Sequence, residues 1–414
     1  MNYLRICRYL YAKRFFNEIV LLFQLVVMLV FAFAVLNPID DFLQKEHKIV
    51  SSYNIDFDEA LHFNMGNFVF QQQSFGEGSL TDTIYGKIME TEGVGSVLQS
   101  TTCTVNYDTG KKDSDGHSVY SNALAFMYAD DMIDKVNVKL SEGMVRHDAG
   151  DGIPILVSAA LAKELPVGSR TDIIVSNDGK SVECIVTGIL KKEEALSSIN
   201  NYGSFENLST FGVIPEQDGC NRYIIMYDLE TGTDALFDLG AKFLILPENG
   251  CDRQTLKERL EKNIGDYGYI KEADEILKNS YIHMLENNAK YVLAFVMITA
   301  IAVFGYGGYL YLMIIQHQKE FGVFYILGMS RKKMISVIFI SGMLLLLTAF
   351  IIASLSMHAF MEKILGIYNY ETGIFSYVFC AVIMGVILLT SVFVGFGQSK
   401  KLAEVTIYNG GMEN

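Results

Sequence analysis

The chain has 414 residues, half of them hydrophobic, yet its formal net charge is −14. That apolar content exceeds what an ordinary water-soluble chain carries, and the acidity argues against nucleic acid as a partner. The two facts are reconciled if the chain divides into apolar membrane spans and an acidic water-facing part.

The first apolar run, Ile19–Leu36, follows a segment bearing Arg5, Arg8, Lys13 and Arg14. Ala32-Phe33-Ala34 resembles a signal-peptidase site. The run is 18 residues long, however, beyond the usual cleaved hydrophobic region, and a retained anchor is expected. Beyond Pro38 the residues Ile39, Phe42, Leu43 and Val50 recur at helical spacing, so the helix is expected to continue as a stalk.

Residues 38–288 then carry 21 of the 33 Lys and Arg and 41 of the 47 Asp and Glu, a net of −20. Strand and loop are expected over 54–73, then a helix from Ser79 to about Glu92 stopped by Gly93 and Gly95. One strand is expected over Val94–Tyr107 and a polar loop over Asp108–Ser118. Asp113, Asp115 and Gly116 suggest a calcium loop, but the closing Glu and flanking helices are missing, and a solvated turn is the better reading. Strand Pro154–Val157, a short helix capped by Ser158, a turn at Pro166-Val-Gly168 and a hairpin of Thr171–Val175 with Ser181–Ile189 follow, turning at Asn177-Asp178-Gly179. Further strands are read over Phe211–Ile214, Asn221–Tyr227 and Phe243–Leu246. Asp252 is placed to cap a helix with Leu256, Leu260 and Ile264 on one face. Cys103, Cys184, Cys220 and Cys251 have no zinc-ligand spacing, nor do His47, His62, His117, His147 and His283, which read as surface or packing residues. Cys184 alternates with Val182 and Val186, as a buried strand residue does.

From about Ala273 a helix without Pro runs into the second apolar stretch, Tyr291–Ile315, and is expected to reach about Leu327. Met334–Met357 and Ile374–Phe396 complete four runs long enough to cross a hydrocarbon core about 30 Å thick. The positive charges of residues 1–17, 316–333 and 398–414 predict that both termini and the central loop are cytoplasmic, because the short loop 358–373 carries only Lys363. The domain plan is therefore 1–17 cytoplasmic, 18–37 first span, 38–288 extracytoplasmic, 289–315 second span, 316–333 cytoplasmic, 334–357 third span, 358–373 short external loop, 374–397 fourth span and 398–414 cytoplasmic tail. The fold class is a membrane protein with four transmembrane helices and a large mixed α/β extracytoplasmic domain between the first two.

The central stretch QHQKEFGVFYILGMSRKK places Phe321, Phe324, Tyr325 and Met329 on a helical face, with Gly328 as a left-handed cap and Ser330 as the next N-cap. Its bland reading is a cytoplasmic turn lying on the membrane surface.

Leu140-Ser-Glu-Gly143, IPILVSAALAKEL at 153–165, Pro166-Val-Gly168 and Val186-Thr-Gly-Ile189 resemble the extracytoplasmic core domain of MacB-type ABC transporter permeases. Lys319-Glu320-Phe321-Gly322, Val323–Leu327 and Gly328-Met329-Ser330-Arg331-Lys332 resemble the FtsX membrane domain. The tail KKLAEVTIYNGGMEN departs from the family by lacking its proline-bearing ending. The resemblance implies a permease working as a dimer, homo- or heterodimeric, with a separate ABC ATPase. Lys319, Glu320, Phe321, Gly322, Tyr325, Gly328, Ser330 and Arg331 would then form the ATPase-coupling segment. No G-x-x-x-x-G-K-[ST] phosphate loop is present, so ATP and Mg are expected in the partner and no cofactor or metal in this chain. No catalytic constellation stands out. The expected cargo is a peptide, an antimicrobial peptide among them, a lipoprotein or another amphiphile. Two rivals are an FtsX-like transmitter of force to a cell-wall hydrolase and a membrane-anchored sensor without an ATPase.

Overall fold

The computed structural model describes residues 15–65, 80–112, 114–128, 130–147, 152–175, 181–192, 194–199, 206–216, 219–227, 242–317, 319, 322–323, 326, 328, 330–363 and 373–410. They divide into two compact units, one of residues 1–43 with 284–414 and one of residues 44–283.

The first unit is built from long helices: α1 (Phe15–Ser51), with Pro38 inside it, α4 (Ala273–Gln316), α5 (Arg331–Lys363) and α6 (Ile374–Gly410). Each contains a stretch long and apolar enough to cross a membrane. Leu21, Leu25, Met28, Leu29, Ala32, Phe33 and Leu36 form one buried stripe on α1, at the three-and-four spacing of a helix face. They pack with Ala302, Tyr306 and Leu310 of α4, Val337, Leu346 and Ala349 of α5, and Cys380 and Ile387 of α6. The opposite faces are equally apolar but uncovered. Phe304 is 79%, Phe393 75% and Ile374 81% exposed, a helix apolar all round being what lipid requires.

The second unit holds two sheets. Its first half-sheet is β1 (Leu61–Asn64), followed by α2 (Leu80–Met89) and β2 (Val94–Leu98). The matching half comes much later as β12 (Lys242–Pro247), α3 (Arg253–Ile264) and β13 (Tyr269–Glu272). They interleave in the order β13-β1-β12-β2, every neighbour antiparallel, which is the split βαβ arrangement of ferredoxin-like domains. Alternation sends Leu61 and Phe63 to one side, where they pack with Phe243, Ile245, Ile84 and Ile88 of α2, and Leu256, Leu260 and Ile264 of α3. Asp252 caps α3 as its sequence implies, Oδ2 accepting from the Thr255 N–H at 3.0 Å.

The second sheet is inserted between β2 and β12. It comprises β3 (Ser100–Lys112), β4 (Ser118–Tyr128), β5 (Leu140–Gly143), β6 (Ile153–Val157), β7 (Arg170–Val175), β8 (Ser181–Leu190) and β11 (Tyr223–Met226). A small pair, β9 (Leu196–Ser197) with β10 (Gly212–Val213), lies apart from it. The order is β5-β8-β6-β11-β4-β3-β7, and β7 also pairs with β8, so six strands close on themselves with β5 beside the far half of β8. The interior follows period two: Val105 and Tyr107, Ala123, Ala125 and Met127, Ile155 and Val157, Cys184 and Val186, Ile224 and Met226. Cys184 is thus core, as its alternation implies.

Four local expectations change. Val94–Tyr107 is two strands, not one; β2 and β3 part at Gln99 and join different sheets, with no Gly or Pro to mark the break. The polar stretch after Asp108 is mostly ribbon, because Lys112 pairs with Ser118 across the hairpin, while Asp113 lies outside the described residues. Residues 159–165 form successive turns instead of a helix. Ser158 Oγ accepts from the Tyr223 N–H at 3.2 Å instead of capping, and Leu161 and Leu165 fill the barrel core. Finally, α4 ends at Gln316, with His317 in a turn whose N–H still reaches Met313 O at 3.0 Å; the helix stops where the apolar run gives way to polar residues, short of Leu327. The hairpin turn read at Asn177-Asp178-Gly179 lies outside the described residues.

Candidate functional site: the segment between the second and third spans

The segment begins where α4 hands over at His317, whose side chain is buried. Lys319, Gly322, Val323 and Ile326 are helical, and Ile326 is 75% exposed. Gly328 has φ +92°, and a Cβ there would meet nothing within 4 Å. The glycine is therefore demanded by backbone sign, as at a left-handed helix stop, and not by crowding. Ser330 precedes the helix and is exposed; its Oγ accepts from the Lys333 N–H at 3.4 Å and its carbonyl from the Met334 N–H at 3.1 Å. That is the N-cap geometry its sequence position implies, and Arg331 is the first residue of α5. Glu320, Phe321 and Tyr325 lie outside the described residues. The sequence therefore meets the structure at the stop and restart of the helix, while the aromatic face stays a matter of sequence.

The bundle that holds this segment has polar contacts between its helices, the first of them buried. Tyr306 Oη and Ser391 Oγ lie 2.8 Å apart, Tyr309 donates to Glu18 at 3.0 Å, and Gln24 donates to the Ile301 carbonyl at 3.2 Å. Asp40, just past the first apolar run, is 4% exposed and accepts from the Ser376 N–H at the start of α6, at 3.2 Å. Gly373 adjoins this carboxylate so closely that a Cβ would come within 1.9 Å of it.

Residues 292–407 match the family model described as FtsX-like permease C-terminal, a span that contains α5, most of α4 and α6, and the segment between. Over that span the chain is similar to FtsX-like permeases. Among curated proteins none matches the chain. Among solved structures, the periplasmic region of MacB from Actinobacillus actinomycetemcomitans is 12% identical, with TM-score 0.32, over 55% of this chain and 93% of that chain. The extracellular domain of the ABC-type transporter YknZ from Gram-positive bacteria is 13% identical, with TM-score 0.31, over 51% of this chain and 98% of that chain.

The chain also carries a polar cluster in its α/β unit that the sequence reading passes over. His62 on β1 faces away from the Leu61–Phe63 core, and its Nδ1 lies 3.1 Å from Glu206 Oε1, an ion-pair distance without the alignment of a hydrogen bond. Lys271 Nζ is 2.9 Å from the other carboxylate oxygen, and Asn64 donates to Glu206 at 3.1 Å. Burial by itself would raise the Glu206 carboxyl, but His62, Lys271 and Asn64 hold it down to about 2. Burial lowers His62, with Glu206 opposing. Alternation in Leu-His-Phe-Asn could have placed His62 and Asn64 on one face; nothing in the sequence points to Glu206 as their partner. No group of three or more metal-ligating side chains occurs among the described residues.

Proposed function

We propose that this permease takes its motion from a separate ABC ATPase through residues 316–333 and passes it to the α/β unit on the far side of the membrane, to export or extract a peptide, lipoprotein or similar amphiphile. The reading is carried by one observation: the FtsX-like match spans the segment that ends at the φ +92° glycine and restarts at the Ser330 cap. A short helix stopped and restarted so abruptly is held at fixed length between two spans, as an element that takes up force must be. Phe321 and Tyr325, four apart, would present aromatics to a groove on the ATPase. α4, unbroken for 44 residues and about 66 Å long, would carry the movement. Both termini would be cytoplasmic and the permease would work as a dimer. Purification of the tagged permease from native membranes, followed by identification of co-purifying chains, tests the reading: an ABC ATPase is expected, and its consistent absence would leave an anchored sensor in its place.

A further inference from the structure

Residues 206–211 stand between β9 and β10 in the chain and lie against the face of the four-stranded sheet that α2 and α3 leave open. Glu206 at one end and Phe211 at the other both reach His62 of β1, the first by Oε1 at 3.1 Å from Nδ1, the second with ring centroids 5.9 Å apart. His62 and Asn64 of β1 are in register with Lys271 and Tyr269 of β13, so the four share one sheet face. Glu206 lies 2.9 Å from Lys271 Nζ and accepts from Asn64 at 3.1 Å, while Asn64 also donates to Tyr269 Oη at 2.9 Å. The carboxylate is 1% exposed, but the Lys271 side chain is 45% exposed.

The Phe211 end is held by packing and by its own backbone. Its carbonyl accepts from the Ser198 N–H at 3.1 Å and from Tyr53 Oη at 2.5 Å, and its ring meets Phe57 edge-on at 5.2 Å. The middle supports itself. Asn207 Oδ1 accepts from the Ser209 N–H at 2.9 Å and Thr210 Oγ1 accepts from the Asn207 N–H at 3.2 Å, a reciprocal cap that needs no neighbour. A segment packed at one end, self-supporting in the middle and held by charge at the other opens first at the charged end. We propose that residues 206–211 are a releasable strap, with Glu206 as the catch that fastens the inserted part of the α/β unit to the four-stranded sheet. Release needs only the turn of one carboxylate from Lys271, His62 and Asn64 to water. Water already reaches the Lys271 ammonium and can replace its partner, while the bonds of Asn207 and of the Phe211 carbonyl survive. Lys271 stands two residues before Ala273, where α4 begins, so movement along α4 would meet the catch at once; this last step rests on α4 carrying movement as proposed above.

Hydrogen exchange of the full-length protein in lipid nanodiscs, read by mass spectrometry with no ATPase present, tests the strap apart from that reading. In the unaltered protein the peptide over 207–211 should exchange ahead of those over β1 and β13, although the Thr210 and Phe211 N–H groups are both bonded. Glu206→Gln keeps the shape and removes the charge. It should speed exchange of the strap about tenfold and leave β1, β13 and the strands of the second sheet as they are. Lys271→Met should speed it by a smaller factor, since His62 and Asn64 remain, and Lys112→Ala in the β3–β4 hairpin should change nothing. An unchanged strap in Glu206→Gln overturns the catch. Equal acceleration over both sheets overturns it as well, because Glu206 would then support the whole unit. Should Glu206→Gln fail to fold, the unaltered protein and Lys271→Met decide: a strap that exchanges as slowly as β1 in both ends the proposal.

Discussion

Tyr306 of α4 and Ser391 of α6 are both fully buried, and their hydroxyls meet at 2.8 Å. A third helix joins them through an absence. At Gly342 of α5 a Cβ would fall 1.8 Å from Tyr306 Oη and 3.1 Å from Ser391 Oγ. In an open helix Gly→Ala is favourable by about 1 kcal/mol. Here the added methyl would overlap a fully buried phenol that is held by Ser391, and Gly342→Ala is expected to lower the Tm of the protein. Tyr306→Phe removes the obstructing oxygen. In that background Gly342→Ala should be tolerated, and circular dichroism melts of the two single variants and the double variant measure the coupling. Additive losses would mean that the glycine is there for another reason.

The His62–Glu206 cluster predicts a stability that falls with acid in two stages. Both groups sit below their ordinary values in the folded protein, so for each the unfolded chain binds protons more readily. His62 contributes stability above about pH 6.5, lost as pH falls toward its lowered value. Glu206 contributes stability above its ordinary value of 4.5, lost as pH falls toward about 2, on the order of 3 kcal/mol in all. Melts of the protein between neutral pH and about pH 2.5 should show a falling Tm through both stages. His62→Gln should flatten the upper part of that curve and shrink the lower part without abolishing it, because Lys271 and Asn64 still hold Glu206 down; an unchanged upper slope would show that His62 does not titrate on unfolding.

Much of this architecture can be read from the residues, and the failures have physical causes. Charge-free runs of helical length find all four spans because lipid admits little else. The cap at Asp252, the alternation of Cys184 and the glycine stop at 328 are local codes, and local codes survive in a single sequence. What escapes is non-local. Val94–Tyr107 reads as one strand because the choice between two sheets is made at the break by distant partners, Leu244 of β12 for Leu98 and Tyr128 of β4 for Ser100. The stalk read beyond Pro38 gives no sign that Asp40 is buried and bonded to the Ser376 N–H of α6. Glu206 has no pattern at all until β1 and β13 bring His62 and Lys271 to it.

The charge asymmetry predicts which side of the membrane each unit occupies. Ser114, in the β3–β4 hairpin, and Ser330, at the start of α5, are both exposed. Introduced cysteines at the two positions should behave oppositely in intact cells, with a membrane-impermeant maleimide modifying Ser114→Cys and sparing Ser330→Cys. Background is manageable. Burial pushes the thiols of Cys103 and Cys184 up to about 11 and about 12, which keeps them slow, and Cys220 and Cys251 are replaced by Ser. The reverse labelling pattern would invert the topology.

The coupling role rests on residues 316–333, and substitutions there separate it from a plain turn. Tyr325→Asp would place a charge on the face expected to enter the ATPase, at a cost of a few kcal/mol if that face is buried in the complex. Gly328→Ala forces a side chain onto a backbone at φ +92°, a strain of about 1–2 kcal/mol that re-aims the link into α5 without touching any neighbour. A Cβ at Gly328 meets nothing within 4 Å, and both positions lie in the segment between two spans, so normal expression and insertion are expected for both. Tyr325→Asp should sharply reduce the ATPase that co-purifies. Gly328→Ala should retain most of the bound ATPase yet reduce transport or resistance, since binding and force transfer use different features of the segment. Lys112→Ala serves as the control that changes neither. If Tyr325→Asp is fully expressed and holds its ATPase at the unaltered level, the segment is a connecting turn and force must enter the permease elsewhere.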